Sequence, residues 1–223
     1  MTGPRRSDAR RNRAAIMAVV ADSVRHGLRM PSATRIAQLT GLGQATVYRH
    51  FPDRRSLLLA VTHEQLGLLR QAARRDADDP AAFHGLLREV MVHQVLMRPL
   101  VEELRGFPVA DQRGCARRLL DALRVPFARS RAAGHLRRHV VLDDVAVVLA
   151  MLQGAVEATP TPEAARRVIP VLLDGLFRAG AGDEFDAGVA LDAEAGLGAG
   201  AGFDVGAGSE PGAGAPEGSA RVR

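Results

Sequence analysis

Lysine is absent from this chain: all 30 basic residues among its 223 are arginine. With abundant Ala and Gly, that bias belongs to GC-rich coding and carries no functional meaning. Tryptophan is absent as well and aromatics make up 4% of the chain, which argues against a cage for flat aromatic cations. The single cysteine, Cys115, excludes an intramolecular disulfide and any cysteine-rich metal site. It lies in an apolar-periodic segment and reads as a buried structural thiol. No apolar run reaches membrane-spanning length, and the arginine-rich start lacks the apolar core of a signal peptide. The expectation is a soluble, cytoplasmic protein with no membrane partner. Phosphate-binding glycine loops and nucleophile-elbow motifs are missing too. The histidines do not cluster: His135 and His139 flank a turn, and His84 and His93 are nine apart. Glu102-Glu103 and Asp143-Asp144 are adjacent pairs that diverge on a helix and cannot act as an acid/base couple. No metal, cofactor or catalytic residue is expected, so the chain does not read as an enzyme.

Charge is distributed unevenly. Residues 1–75 carry 14 Arg against 4 acids, residues 76–180 carry 14 against 13, and residues 181–223 carry 2 against 8. The basic excess therefore sits in the first third, as in a nucleic-acid binder.

Within that third, SATRIAQLTGLGQATVYRHF (32–51) reads as two short helices around a glycine-bracketed turn. Ser32 can cap the first, whose apolar face is Ile36, Ala37 and Leu39. Gly41 can take the left-handed conformation that stops it, with Leu42 pointing back to the core. The second helix starts at Gln44 and turns Val47 and Phe51 inward. Gln44, Ala45, Thr46, Tyr48, Arg49 and His50 face outward. Small hydrogen-bonding groups at its start and cations at its end suit a helix laid in a DNA major groove.

The run I-A-x-x-x-G-L-x-x-x-T-V-Y-R-H-F-P-D-R-x-x-L-L resembles the DNA-binding signature of the tetracycline-repressor (TetR) family of bacterial transcription regulators. The resemblance is strong over residues 10–75 and looser over 80–178. It implies an all-α fold: an N-terminal helix-turn-helix three-helix domain (1–75, with basic arm and linking helix) and a C-terminal ligand-binding and dimerisation domain (76–180). It also implies that Gln44, Ala45 and Thr46 approach bases, while Tyr48, His50 and Arg54 approach phosphates. Gly43 departs from the family, which usually has Ser or Thr there, so a phosphate-contacting hydroxyl is lost.

The chain in order gives a basic arm (Met1 to about Ser7) and a first helix over about Asp8–His26, with Ile16, Val19, Val20, Val24 and Leu28 as its stripe. A helix capped by Asp53 runs to about Arg75, and Gly67 in its middle reads as a close packing contact. Further helices fall at about 83–95, Pro99–Arg105 and Asp111–Ala133, the last kinked at Pro126. Leu142–Ala158 is apolar nearly all round. Pro162–Ala179 should be bent or split by Pro170. These two suit a four-helix bundle with a second copy, with Leu149 and Leu173 in the buried interface. Residues 181–223 are Gly, Ala and acidic residues without period, and are expected to be disordered.

By the same resemblance, an inducer pocket lies between the linking helix and those after it. Its candidate lining is Phe83, His84, Met91, His93, Met97, Phe107 and Phe127, and the low aromatic content favours an aliphatic or mixed ligand. The expected function is a ligand-released repressor. Its partners are double-stranded operator DNA of pseudo-palindromic sequence, a second copy of itself bound through the last two helices, and an unknown small-molecule inducer. The competing reading is a non-sequence-specific nucleic-acid or protein-interaction module with a small-molecule-binding helical domain.

Overall fold

The structure, a computed structural model, describes residues 4–75 and 78–178. The start of the basic arm, part of the acidic turn at 76–80 and the segment 181–223 lie outside the described residues. Helix α1 (Pro4–Arg25) begins earlier than expected and takes in Ser7. Proline suits a first helical turn, where its missing N–H would go unused anyway. Ile16, Val20 and Val24 of α1 are buried. Gly27, at φ 72°, then turns the chain. Leu28 lies beyond that turn and is 60% exposed, so it does not extend the stripe; Met30 is buried instead.

Helix α2 (Ala33–Thr40) opens with the Ser32 hydroxyl accepting from the Arg35 N–H at 3.2 Å, and closes on Gly41 at φ 67°. Ile36 and Ala37 are its buried residues. Leu39 is 48% exposed. The inward direction lies between Ile36 and Ala37, and at 3.6 residues per turn Leu39 sits roughly 110° away from it. Helix α3 (Gln44–His50) buries Val47, and Phe51 follows it into the core. Helix α4 (Arg54–Arg75) is capped by Asp53, whose carboxylate accepts from the Ser56 N–H at 2.6 Å.

Five more helices follow: α5 (Ala82–Leu96), α6 (Arg98–Arg105), α7 (Val109–Ala132), α8 (Leu142–Ala158) and α9 (Pro162–Leu176). Pro126 lies buried inside α7 and Pro170 lies inside α9, and neither splits its helix. Proline removes one N–H from the ladder and leaves the turns on either side bonded. Gly134, at φ 82°, turns the chain after α7. The backbone just beyond it pairs with the end of α9, through Arg137 N–H to Leu176 O at 3.0 Å and Arg178 N–H to His135 O at 2.8 Å.

Buried apolar side chains fall into two clusters. One joins α1–α4 and also contains Met97 and Leu100, from either side of the start of α6. The other fills α5 and α7–α9, with Leu69 from the second half of α4. Leu149 and Leu173 belong to this second cluster, buried within their own chain rather than left for a partner.

Gly67 has nothing within 4 Å of the position a Cβ would take, so close packing does not account for it. Gly67→Ala should therefore raise stability by about 0.5–1 kcal/mol, the helix-propensity difference at an interior site. Urea unfolding of the two proteins measures this directly.

Candidate nucleic-acid interface and the cavity behind it

Gly43 enters α3 with extended backbone and no side-chain cap. Gln44, Ala45, Tyr48 and Arg49 are exposed on α3, with Thr46 and His50 half-buried beside them. Two short links order this surface. The Gln44 amide donates to the Thr34 hydroxyl at 3.1 Å, and the Arg49 guanidinium donates to the Thr46 hydroxyl at 2.8 Å. Behind it, the Arg13 guanidinium lies 4.4 Å from the Phe51 ring centroid and donates to the His50 carbonyl at 3.4 Å. A cation there faces both the negative face of a ring and the negative end of α3.

Arg54 is apart from this group. At the start of α4, its guanidinium forks onto both carboxylate oxygens of Glu103 in α6, with Nε to Oε2 at 2.7 Å. Its neighbour Arg55 forks onto Asp111 in α7, with Nε to Oδ2 at 2.6 Å and Nη2 to Oδ1 at 2.9 Å. The Arg55 guanidinium holds the Asp111 carboxyl below its ordinary value. Neither carboxylate, nor Arg13, could be found from local sequence. Glu103 lies 49 residues from its partner and Asp111 lies 56 from its own, at no periodic spacing.

Beside α6 is a cavity of about 290 Å³ among α4, α5, α6, α7 and α8. His93 and Met97 line it. The other residues expected on a pocket lie elsewhere. Phe83 meets Phe127 edge-on at 5.7 Å, and His84 meets Phe177 at 4.8 Å. Met91 is fully buried in the same cluster, and Phe107 packs against the cluster of α1–α4. Aromatic and sulfur content marked these as large interior side chains; only the helix arrangement decides which of them border an empty space. Thr62, Gln65, Gln94, Gln112 and Cys115 also line the cavity and were not anticipated there. Burial, reinforced by the Asp111 charge, pushes the Cys115 thiol up, so it stays protonated. No group of three or more His, Cys, Asp or Glu able to hold a metal occurs among the described residues. None of the described helices is long and apolar enough to cross a membrane.

Both ring nitrogens of His93 are buried without a hydrogen-bond partner among the described residues. Burial first, and then the charge of Arg25, lowers its pKa from 6.5 to about 4. The unfolded chain takes up this proton as the pH falls below 6.5, whereas the folded chain takes it only near 4, so acid favours unfolding across that window. Each pKa unit corresponds to about 1.4 kcal/mol, so the whole effect is about 3 kcal/mol. In His93→Leu this proton is gone. Its stability relative to the parent should rise by roughly that amount between pH 7 and pH 4, then level off below 4. Urea titrations over that pH range check it.

Residues 78–178 match the family model described as the C-terminal domain of SbtR-like transcriptional regulators. The chain is also similar to a TetR transcription regulatory protein from Mycobacterium vanbaalenii, at 30% identity over 78% of this chain and all of that one, with a TM-score of 0.57. SmeT, the repressor of the Stenotrophomonas maltophilia multidrug efflux pump SmeDEF, shares the fold at 23% identity, over 76% of this chain and 92% of SmeT, with a TM-score of 0.52. RolR in complex with resorcinol does so at 20% identity, over 79% of this chain and 92% of RolR, with a TM-score of 0.54. No curated protein matches the sequence. The signature over α2–α4, the nine-helix arrangement of the described residues and the identity across the whole Mycobacterium regulator agree: this chain belongs to the TetR family of transcriptional regulators.

Proposed function

We propose that this chain is a ligand-released repressor that binds a pseudo-palindromic operator as a homodimer. The observation that carries the reading is the double duty of α6. Leu100 is buried in the α1–α4 cluster and Glu103 holds Arg54 of α4, while Val101 and Leu104 wall the cavity. Filling the cavity thus bears on the same short helix that grips the start of α4. SmeT is a repressor and RolR binds resorcinol, which supports the repressor and ligand parts of the reading.

In this reading Gln44, Ala45 and Thr46 approach base edges, and Tyr48, Arg49, His50 and Arg54 lie along the backbone. One guanidinium fork cannot clasp Glu103 and a phosphate together, so the Arg54–Glu103 pair opposes DNA binding. A ligand that favours the α6 position in which this pair forms weakens the operator complex, and only its differential affinity for the two arrangements drives release.

Fluorescence anisotropy with matched and scrambled operators over a salt series tests the head. Gln44→Ala should cost about 1–3 kcal/mol on the preferred operator and relax the preference at one position per half-site. Arg54→Ala should weaken binding evenly across sequences and reduce the salt slope by roughly one unit per subunit. Glu103→Gln should instead tighten binding at low salt, because it frees Arg54. The reading is falsified if Gln44→Ala and Thr46→Ala leave affinity and sequence preference unchanged in folded protein.

The proposed dimer face lies on α8 and α9, where Val147, Met151 and Val171 are 57%, 56% and 68% exposed. Apolar side chains left in water on two adjacent helices suit a self-complementary contact. Met151→Arg should give monomers by light scattering and lose operator binding while its thermal unfolding stays cooperative. A wild-type protein that is monomeric at micromolar concentration would remove this part of the proposal.

A further inference from the structure

The cavity among α4–α8 has polar residues on its walls, and the donors of Gln94, Gln112 and Arg105 are engaged elsewhere. The Gln94 amide donates to the Leu149 carbonyl at 2.9 Å. The Gln112 amide donates to the carbonyls of Phe107 at 2.8 Å and Arg105 at 3.0 Å. The Arg105 guanidinium is paired with Glu157. Both ring nitrogens of His93 and the hydroxyl of Thr62 are buried away from the open space and have no hydrogen-bond partner among the described residues. Gln65 aside, the surface left to an occupant is aliphatic, supplied by side chains such as Leu66, Leu69, Val101, Leu104 and Leu119. Among the described residues no acid and no Phe, Tyr or Trp lines it.

We infer that the cavity takes a neutral, hydrocarbon-like aliphatic molecule and rejects ions of either sign. The inference rests on the proposed reading only in treating this cavity as the inducer site. A cation would find no carboxylate on the walls and would lie near the charge of Arg25, which already acts on His93. An anion would have to draw Arg105 away from Glu157, leaving that carboxylate without its partner. Burying an unpaired charge is opposed in either case, because nothing replaces the lost water. A flat aromatic ring has no ring to stack on. A compact aliphatic body gains by leaving water and needs no hydrogen bond. The volume of about 290 Å³ sets the size at the small end of ligand sites, about 300–1,000 Å³.

The test uses the full-length protein without DNA and three probes of nearly one shape: methylcyclohexane, cyclohexanecarboxylate and cyclohexylmethylammonium. The readout is the ¹³C-methyl resonance of Met97, a cavity residue, assigned by Met97→Leu. Methylcyclohexane should move it saturably, and both ions should need at least about tenfold higher concentration to do so. Leu66→Phe and Val101→Phe fill space from two different walls, and either, when folded by circular dichroism, should weaken the hydrocarbon response by about tenfold or more. The inference is overturned by an ion binding within tenfold of the hydrocarbon. It is overturned equally by a Met97 signal unmoved at the solubility limit of methylcyclohexane, or by a response indifferent to both Phe variants. The wild-type comparison decides the matter even where a variant does not fold. Because no operator is present, failure here leaves DNA recognition untouched, and loss of operator preference leaves this result untouched.

Discussion

The α1–α4 cluster and the cavity share one short helix, and the molecule's organisation follows from that sharing. α6 has eight residues. Leu100 sits in the cluster of α1–α4 and, with Val101 after it, also lines the cavity. A helix this short has too few backbone bonds to hold its place by itself and is positioned by what packs on it. Its location is therefore a compromise between the α1–α4 cluster, through Met97 and Leu100, and the walls of the cavity. Packed interiors respond to such compromises by switching between arrangements rather than by stretching.

The polar contacts around α6 sharpen the compromise. Arg54–Glu103 and Arg55–Asp111 are fork-on-fork pairs, which fix direction as well as distance. Lysine would have supplied charge without that geometry. α4 is thus held to α6 and α7 by two-point contacts of set geometry rather than by point charges. Both arginines are about half exposed, so the pairs contribute little stability and can be exchanged for other anions. His93 is the opposite case. It is buried with no hydrogen-bond partner at the junction of cavity and α1, a position where a nonpolar side chain would be cheaper.

Local chemistry was legible in the sequence; distant juxtaposition was not. The Ser32 cap, the left-handed Gly41, the Asp53 cap and the inward turn of Val47 and Phe51 all follow from residues within a few positions of one another. The extents of α2–α9 lie within about three residues of what periodicity gives, with side-chain caps foreseen at Ser32 and Asp53. Leu28 and Leu39 went astray because periodicity gives a stripe but not its centre, and a turn or a rotation of about 110° exposes a side chain the stripe would bury. Leu149 and Leu173 show the same limit at higher order. An all-apolar helix announces that it is covered, without saying whether by its own chain or by another. The outward residues of α3 could be listed from spacing alone. That Arg54 would close on Glu103, and that the cavity would fall beside His93 and Met97 rather than the phenylalanines, depended on how α5–α7 cross α4.

One corner of the second cluster bears on how the chain reaches this structure. The carbonyl of Pro80 lies 3.2 Å from the His135 imidazole, the His135 carbonyl accepts from Arg178, and Phe177 packs against His84. Three points far apart along the chain thus meet at one place, and each meeting closes a long loop before any local contact rewards it. The α1–α4 cluster, by contrast, is assembled mostly from neighbours in sequence and takes only Met97, Leu100 and the partly buried Phe107 from later in the chain. Local contacts form faster than distant ones. During synthesis α3 therefore acquires its turn and most of its support first, and the second cluster is completed only when α9 arrives to close that corner.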